Sequence, residues 1–134
     1  MRSGAVRIVA SALAVVALAA FLLWGVTRPA TANYFGYALA GPNGLPDHIT
    51  YDGLRYDNLS AKGGRLTQAD LQAKQTWPLK QVGTIPTLFG ASHAIYALAN
   101  DPAAAGVTAG YTPLNLYVST NDGAYCLYER GGGP

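Results

Sequence analysis

Residues 8–26 are apolar apart from Ser11, with no charge and no proline among them. A helix of these 19 residues would extend roughly 28 Å, close to the roughly 30 Å of a bilayer core. The run has no polar face, which argues against a buried helix of a soluble protein. Beyond it the period changes. Residues 48–57 alternate around Asp52-Gly53, a preferred two-residue hairpin turn because both of its central positions need positive φ. That turn sets Tyr51 opposite Leu54, Thr50 opposite Arg55, Ile49 opposite Tyr56 and His48 opposite Asp57. Ile49, Tyr51, Leu54 and Tyr56 then share the core face, and His48, Thr50, Arg55 and Asp57 the wet one.

A second hairpin is predicted over 114–130. A two-residue Asp122-Gly123 turn would set Leu116 opposite Glu129, whereas a three-residue loop of Asn121, Asp122 and Gly123 pairs Val118 with Cys126 and Leu116 with Tyr128. The second register is preferred, because it collects Leu116, Val118, Cys126 and Tyr128 on one face and suits a type I turn closed by glycine in a bulge. Between the hairpins, Thr67 with Asp70 three residues on reads as a capping box. The short helix it starts, near 68–75, is stopped by Trp77-Pro78. Pro86 assigns 79–89 to a sheet edge or an extended loop. Residues 94–99 fit a strand or a helical turn, and 58–65 and 101–110 fit loops. Residues 27–32 read as a linker, 33–40 as a strand ending in the turn cluster 41–44, and 131–134 as a disordered tail. The fold expected is an N-terminal transmembrane helix followed by one small, mainly β domain over 33–130. Its sheet of about five to seven strands is closed or sandwiched and crossed by one short helix.

Charge refines this picture. The net charge is +2, but Arg2, Arg7 and Arg28 flank the apolar run. From Asn33 onward six basic residues meet seven acidic ones. A nearly neutral domain has no cationic face with which to displace counterions, so nucleic acid is not an expected partner. Arg2 and Arg7 ahead of the run place residues 1–7 in the cytoplasm and the domain outside, with Trp24 near the outer interface. The bilayer itself is then a partner through 8–26. The alternative is secretion after cleavage near Ala32, since Ala30-Thr31-Ala32 has the small-x-small pattern; against it stand the length of the run and the interruption by Arg28 and Pro29. A single cysteine, Cys126, permits no intrachain disulfide, and no cysteine stands directly after the apolar run to take a lipid.

Candidate chemistry is sparse. His48 and Asp57 are the one acid-base pair that a predicted register brings together, and an acid beside a histidine can orient a general base or a metal ligand. A solvent-facing cross-strand pair is the simpler account. His93 has no predicted relation to His48, and two histidines without a cysteine cluster are few ligands for a metal. Cys126 falls in mid-strand among apolar partners and reads as core rather than nucleophile. Nucleophile-elbow, phosphate-loop and paired-histidine zinc motifs are absent. Asn58-Leu59-Ser60 matches the glycosylation pattern, which is short and frequent. The nine tyrosines fit half-buried strands and could also line a glycan or peptide groove.

The alanine-rich anchor, Leu45-Pro46-Asp47-His48-Ile49-Thr50-Tyr51, Thr76-Trp77-Pro78-Leu79, Val82-Gly83 and Phe89-Gly90 together resemble small uncharacterised exported proteins of actinobacteria. The resemblance implies a bacterial cell envelope and a single-pass anchor, and brings no activity, cofactor or site residue with it. The expectation is therefore a non-catalytic envelope protein, an accessory subunit or partner-binding module with no cofactor. A small exported enzyme using His48 and Asp57 is the alternative, and a pH or metal sensor the third.

Overall fold

The computed structural model describes residues 2–41, 44–74, 76–99 and 112–131. An apolar helix, α1 (Arg2–Val26), leads into a shorter one, α2 (Pro29–Phe35), and then into an antiparallel sheet. The strands are β1 (His48–Tyr51), β2 (Leu54–Asn58), β3 (Arg65–Leu66), β4 (Leu79–Ile85), β5 (His93–Leu98), β6 (Asn115–Ser119) and β7 (Tyr125–Arg130), with α3 (Gln68–Ala73) between β3 and β4. Their order is β1-β2-β7-β6-β5-β4, and β3 continues beside β7 beyond the end of β2.

Both hairpin registers follow from turn chemistry. Asp52 and Gly53 take φ of 50° and 76°, and His48, Ile49, Thr50 and Tyr51 pair with Asp57, Tyr56, Arg55 and Leu54. In the second hairpin Val118 pairs with Cys126 and Leu116 with Tyr128. Gly123 closes its three-residue loop at φ 78°, its amide donating to the Thr120 carbonyl. Thr67 caps α3 with the reciprocal Asp70 bonds the sequence predicts. Residues 94–99 resolve in favour of a strand, β5. The Pro86-containing run supplies β4, an edge strand as expected.

Leu54, expected on the core face, is 38% exposed beside the hairpin turn. A helix runs through most of the expected linker at 27–32, and 33–40 do not form a strand. Pro29 sits in the first turn of α2, Gly36 ends it at φ 71°, and only Ala38 makes an isolated parallel bridge, to Thr87. Proline at the start and left-handed glycine at the end are helix punctuation. The stretch 101–110 and the tail beyond 131 lie outside the described residues.

The sheet curls around its own inner face. Ile49, Tyr56, Ile85, Ile95, Leu116, Val118, Cys126 and Tyr128 form one buried cluster. Tyr51 of edge strand β1 comes within 3.9 Å of where a Cβ on Gly83 of edge strand β4 would stand. On the outer face Leu66, Leu71 and Tyr117 make a second cluster under α3, which is why Leu116, Tyr117 and Val118 are buried in succession. Burial raises the pKa of Tyr56, Tyr117 and Tyr128 above the ordinary 10.0. A raised folded-state pKa gives stability that is complete below pH 10 and lost as the pH climbs past it, because only the unfolded chain ionises freely. Alkaline titration should therefore show a tyrosinate step above pH 10, from Tyr56, Tyr117 and Tyr128, that coincides with loss of the β circular-dichroism signal. Complete ionisation in one step with the fold intact would contradict this packing.

Candidate functional site

The backbone places His48 opposite Asp57, but the side chains do not form the predicted acid-base pair. The Arg55 Nε donates to Asp57 Oδ1 at 2.7 Å from two positions away on the same strand face. Asp57 is thus engaged by arginine, and no hydrogen bond joins it to His48. An exposed ion pair of this kind contributes about 0–1 kcal/mol. Cys126 is buried in the inner cluster, and burial pushes its thiol pKa up. That favours the protonated thiol over a nucleophilic thiolate. The Asn58 amide is likewise occupied, with Nδ2 donating to the Tyr128 hydroxyl (3.1 Å) and the Pro46 carbonyl (3.2 Å).

Concave surface lies instead at one end of the curl. Here β5 begins, β6 ends and β7 begins, and β3 runs beside β7, so residues distant in sequence converge. Two adjoining cavities of about 370 and 310 Å³ open there and share Leu45 and Arg65. Such volumes fall at the small end of ligand pockets, which favour the mouths of curled and closed sheets. Asp47, Ser60 and Cys126 line the first cavity; His93, Thr120 and Asp122 line the second.

The groove's electrostatics centre on three side chains. Arg65, paired in register with Cys126, extends its guanidinium to the Asp122 carboxylate. The Thr120 hydroxyl also donates to Asp122. Chiefly this hydroxyl, and then Arg65, holds the Asp122 carboxyl below the usual carboxylate range. His93, only 7% exposed, lies 2.7 Å through Nδ1 from the Ser119 carbonyl. A carbonyl can only accept, so Nδ1 carries the proton and Nε2 keeps its lone pair in the neutral ring. Within a lining that is more apolar than polar, the groove thus offers a histidine ring, hydroxyls and a balanced ion pair as hydrogen-bonding groups. Among the described residues no three His, Cys, Asp or Glu side chains gather to hold a metal.

Reasoning from sequence missed this groove. One signal was present: the alternation of β5 puts His93 on the same face as Ile95 and Ala97, which marks a histidine turned toward the core. Compared with known proteins, the chain matches no family model, no curated protein and no solved structure, and the groove's chemistry is read from its own side chains.

Proposed function

We propose that this is a single-pass membrane protein that displays a non-catalytic, partner-binding β domain outside the cytoplasm, at the cell envelope. The observation that carries the reading is α1. Over Gly4–Val26 it is long and apolar enough to cross a bilayer, and none of the described residues buries it. A signal sequence passes the same test of length and composition. The length of the apolar run and its interruption by Arg28 and Pro29 before Ala32 favour an uncleaved anchor, and Arg2 and Arg7 ahead of the run favour an N-terminus inside. The partner site is the groove at Arg65, His93 and Asp122, which takes an exposed segment of a membrane or envelope protein through hydrogen bonds. The enzyme alternative built on His48 and Asp57 lacks its orienting carboxylate, which Arg55 holds.

Site-specific photocrosslinking in native membranes tests the groove. A crosslinker at Asn121, on the groove rim, should trap a product of discrete mass, whereas one at Gln72 of α3, on the outer face, should not. Arg65→Glu, which replaces attraction to Asp122 with repulsion, should abolish the Asn121 product. Equal yields from Asn121 and Gln72, or a product indifferent to Arg65→Glu, would overturn the assignment.

A further inference from the structure

Bulky aromatic side chains stand in water at the junction between α1 and the β domain. Tyr34 and Phe35, at the end of α2, are 82% and 69% exposed, and Phe89 is 78% exposed. Nothing in the packing of the domain calls for them: the rings of Tyr34 and Phe35 contact each other edge-on at 4.9 Å. Phe89 also holds φ at 59°, a left-handed backbone unfavourable for a bulky side chain. An exposed ring kept in a strained conformation points to a surface that water does not cover when the protein is in place.

The geometry brings these rings back to the end of α1. The Tyr37 hydroxyl donates to the Val26 carbonyl. One tyrosine side chain therefore spans the gap between the last residue of α1 and the segment after α2, and α2 lies across the end of α1 instead of leading away from it. The Leu88 amide donates to the Ala38 carbonyl at 2.9 Å, which seats Phe89 beside that same segment. At the end of α1 itself, the Arg28 guanidinium stacks 3.7 Å from the centre of the Trp24 ring, a cation and an indole where a spanning helix meets headgroups.

Resting on the proposed membrane anchor, we infer that Tyr34, Phe35 and Phe89 form an aromatic collar that inserts into the outer lipid-water interface and docks the β domain on the bilayer surface. The occupant is lipid because the collar continues directly from the spanning helix, and tyrosine and tryptophan rings favour the headgroup boundary. His93, at the groove, lies four residues after Phe89 at the same end of the sheet. Docking therefore holds the groove mouth close to the membrane surface and favours partners presented there.

The full chain reconstituted in phosphatidylcholine-phosphatidylglycerol vesicles, with lipids brominated near the glycerol end of the acyl chains, tests this by fluorescence quenching. Reporters are Phe89→Trp and, separately, Phe35→Trp, each with Trp24→Phe and Trp77→Phe. Leu54→Trp, at the far tip of the first hairpin, is the control. Trp24 alone, with Trp77→Phe, reports the anchor. The collar predicts a blue shift and loss of most emission at positions 89 and 35, and unquenched, water-like emission at 54. If Trp24 is quenched while 89 and 35 stay water-like, the collar is overturned and the anchor stands, and the exposed rings belong to a protein interface. If Trp24 is unquenched as well, the anchor reading fails with it.

Discussion

Replacing Tyr128 by alanine is expected to unfold much of the β domain near physiological temperature. Tyr128 is completely buried in the middle of β7, paired with Leu116 on one side and Asn58 on the other. Its hydroxyl donates to the Pro46 carbonyl at 2.6 Å and accepts from Asn58. Truncation empties an aromatic-sized volume, which costs about 3–5 kcal/mol. It also removes the hydroxyl's two hydrogen bonds, to Pro46 and from Asn58, leaving those groups only their mutual bond at 3.2 Å, which adds to the loss. Domains of this size have only about 5–15 kcal/mol to lose, so the melting temperature should fall by roughly 10–30 °C. Tyr128→Phe keeps the ring and should cost about 1–3 kcal/mol through the hydrogen bonds alone. Because Pro46 lies between the groove residues Leu45 and Asp47, that milder variant should also weaken crosslinking from Asn121. Thermal melting of the three proteins checks the order; a Tyr128→Ala melt within a degree or two of the parent would refute the packing described here.

How far the sequence carried the fold depended on how local each determinant was. Asp52-Gly53 and Asn121-Asp122-Gly123 fix their hairpins through the φ angles of two or three residues, and Thr67 with Asp70 fixes the start of α3 within one turn. Each could be read from a handful of letters. The segment 33–40 was misread because tyrosine, phenylalanine and alanine suit a strand as well as a helix; the deciding signals, Pro29 and Gly36, lie at the helix ends. His48 and Asp57 show a different limit. A register names backbone partners, whereas the carboxylate takes the strongest donor in reach, and the Arg55 guanidinium two residues away holds it. The groove was least legible of all. Arg65, His93 and Asp122 meet only because β3 pairs with β7 while β5 begins and β6 ends beside them, and such long-range convergence leaves no spacing pattern in the chain.

The proposed membrane anchor carries the second large expected effect. Leu13 and Leu18 lie in the middle of α1 and are exposed along it. Arginine at the centre of a spanning helix costs about 2.5–3.5 kcal/mol. Leu13→Arg with Leu18→Arg should therefore set insertion back by about 5–7 kcal/mol if the two add. The doubly substituted chain should leave the carbonate-washed membrane fraction almost completely, while the parent remains in it. Neither residue packs on the β domain, so the sheet should survive in the released protein. A substituted chain that stays membrane-bound would show that residues 8–26 are not the anchor.

The central claim, that the β domain is displayed outside the cytoplasm on an uncleaved anchor, is tested most directly by topology labelling in intact cells. Cys126→Ala removes the buried thiol, and Lys62→Cys places a single one in the exposed turn before β3. The account predicts that a membrane-impermeant maleimide labels Lys62→Cys in intact cells, and that the labelled protein is a full-length chain in the carbonate-washed membranes. Labelling only after lysis, or a labelled chain that begins at Asn33 and leaves with the soluble fraction, would contradict it.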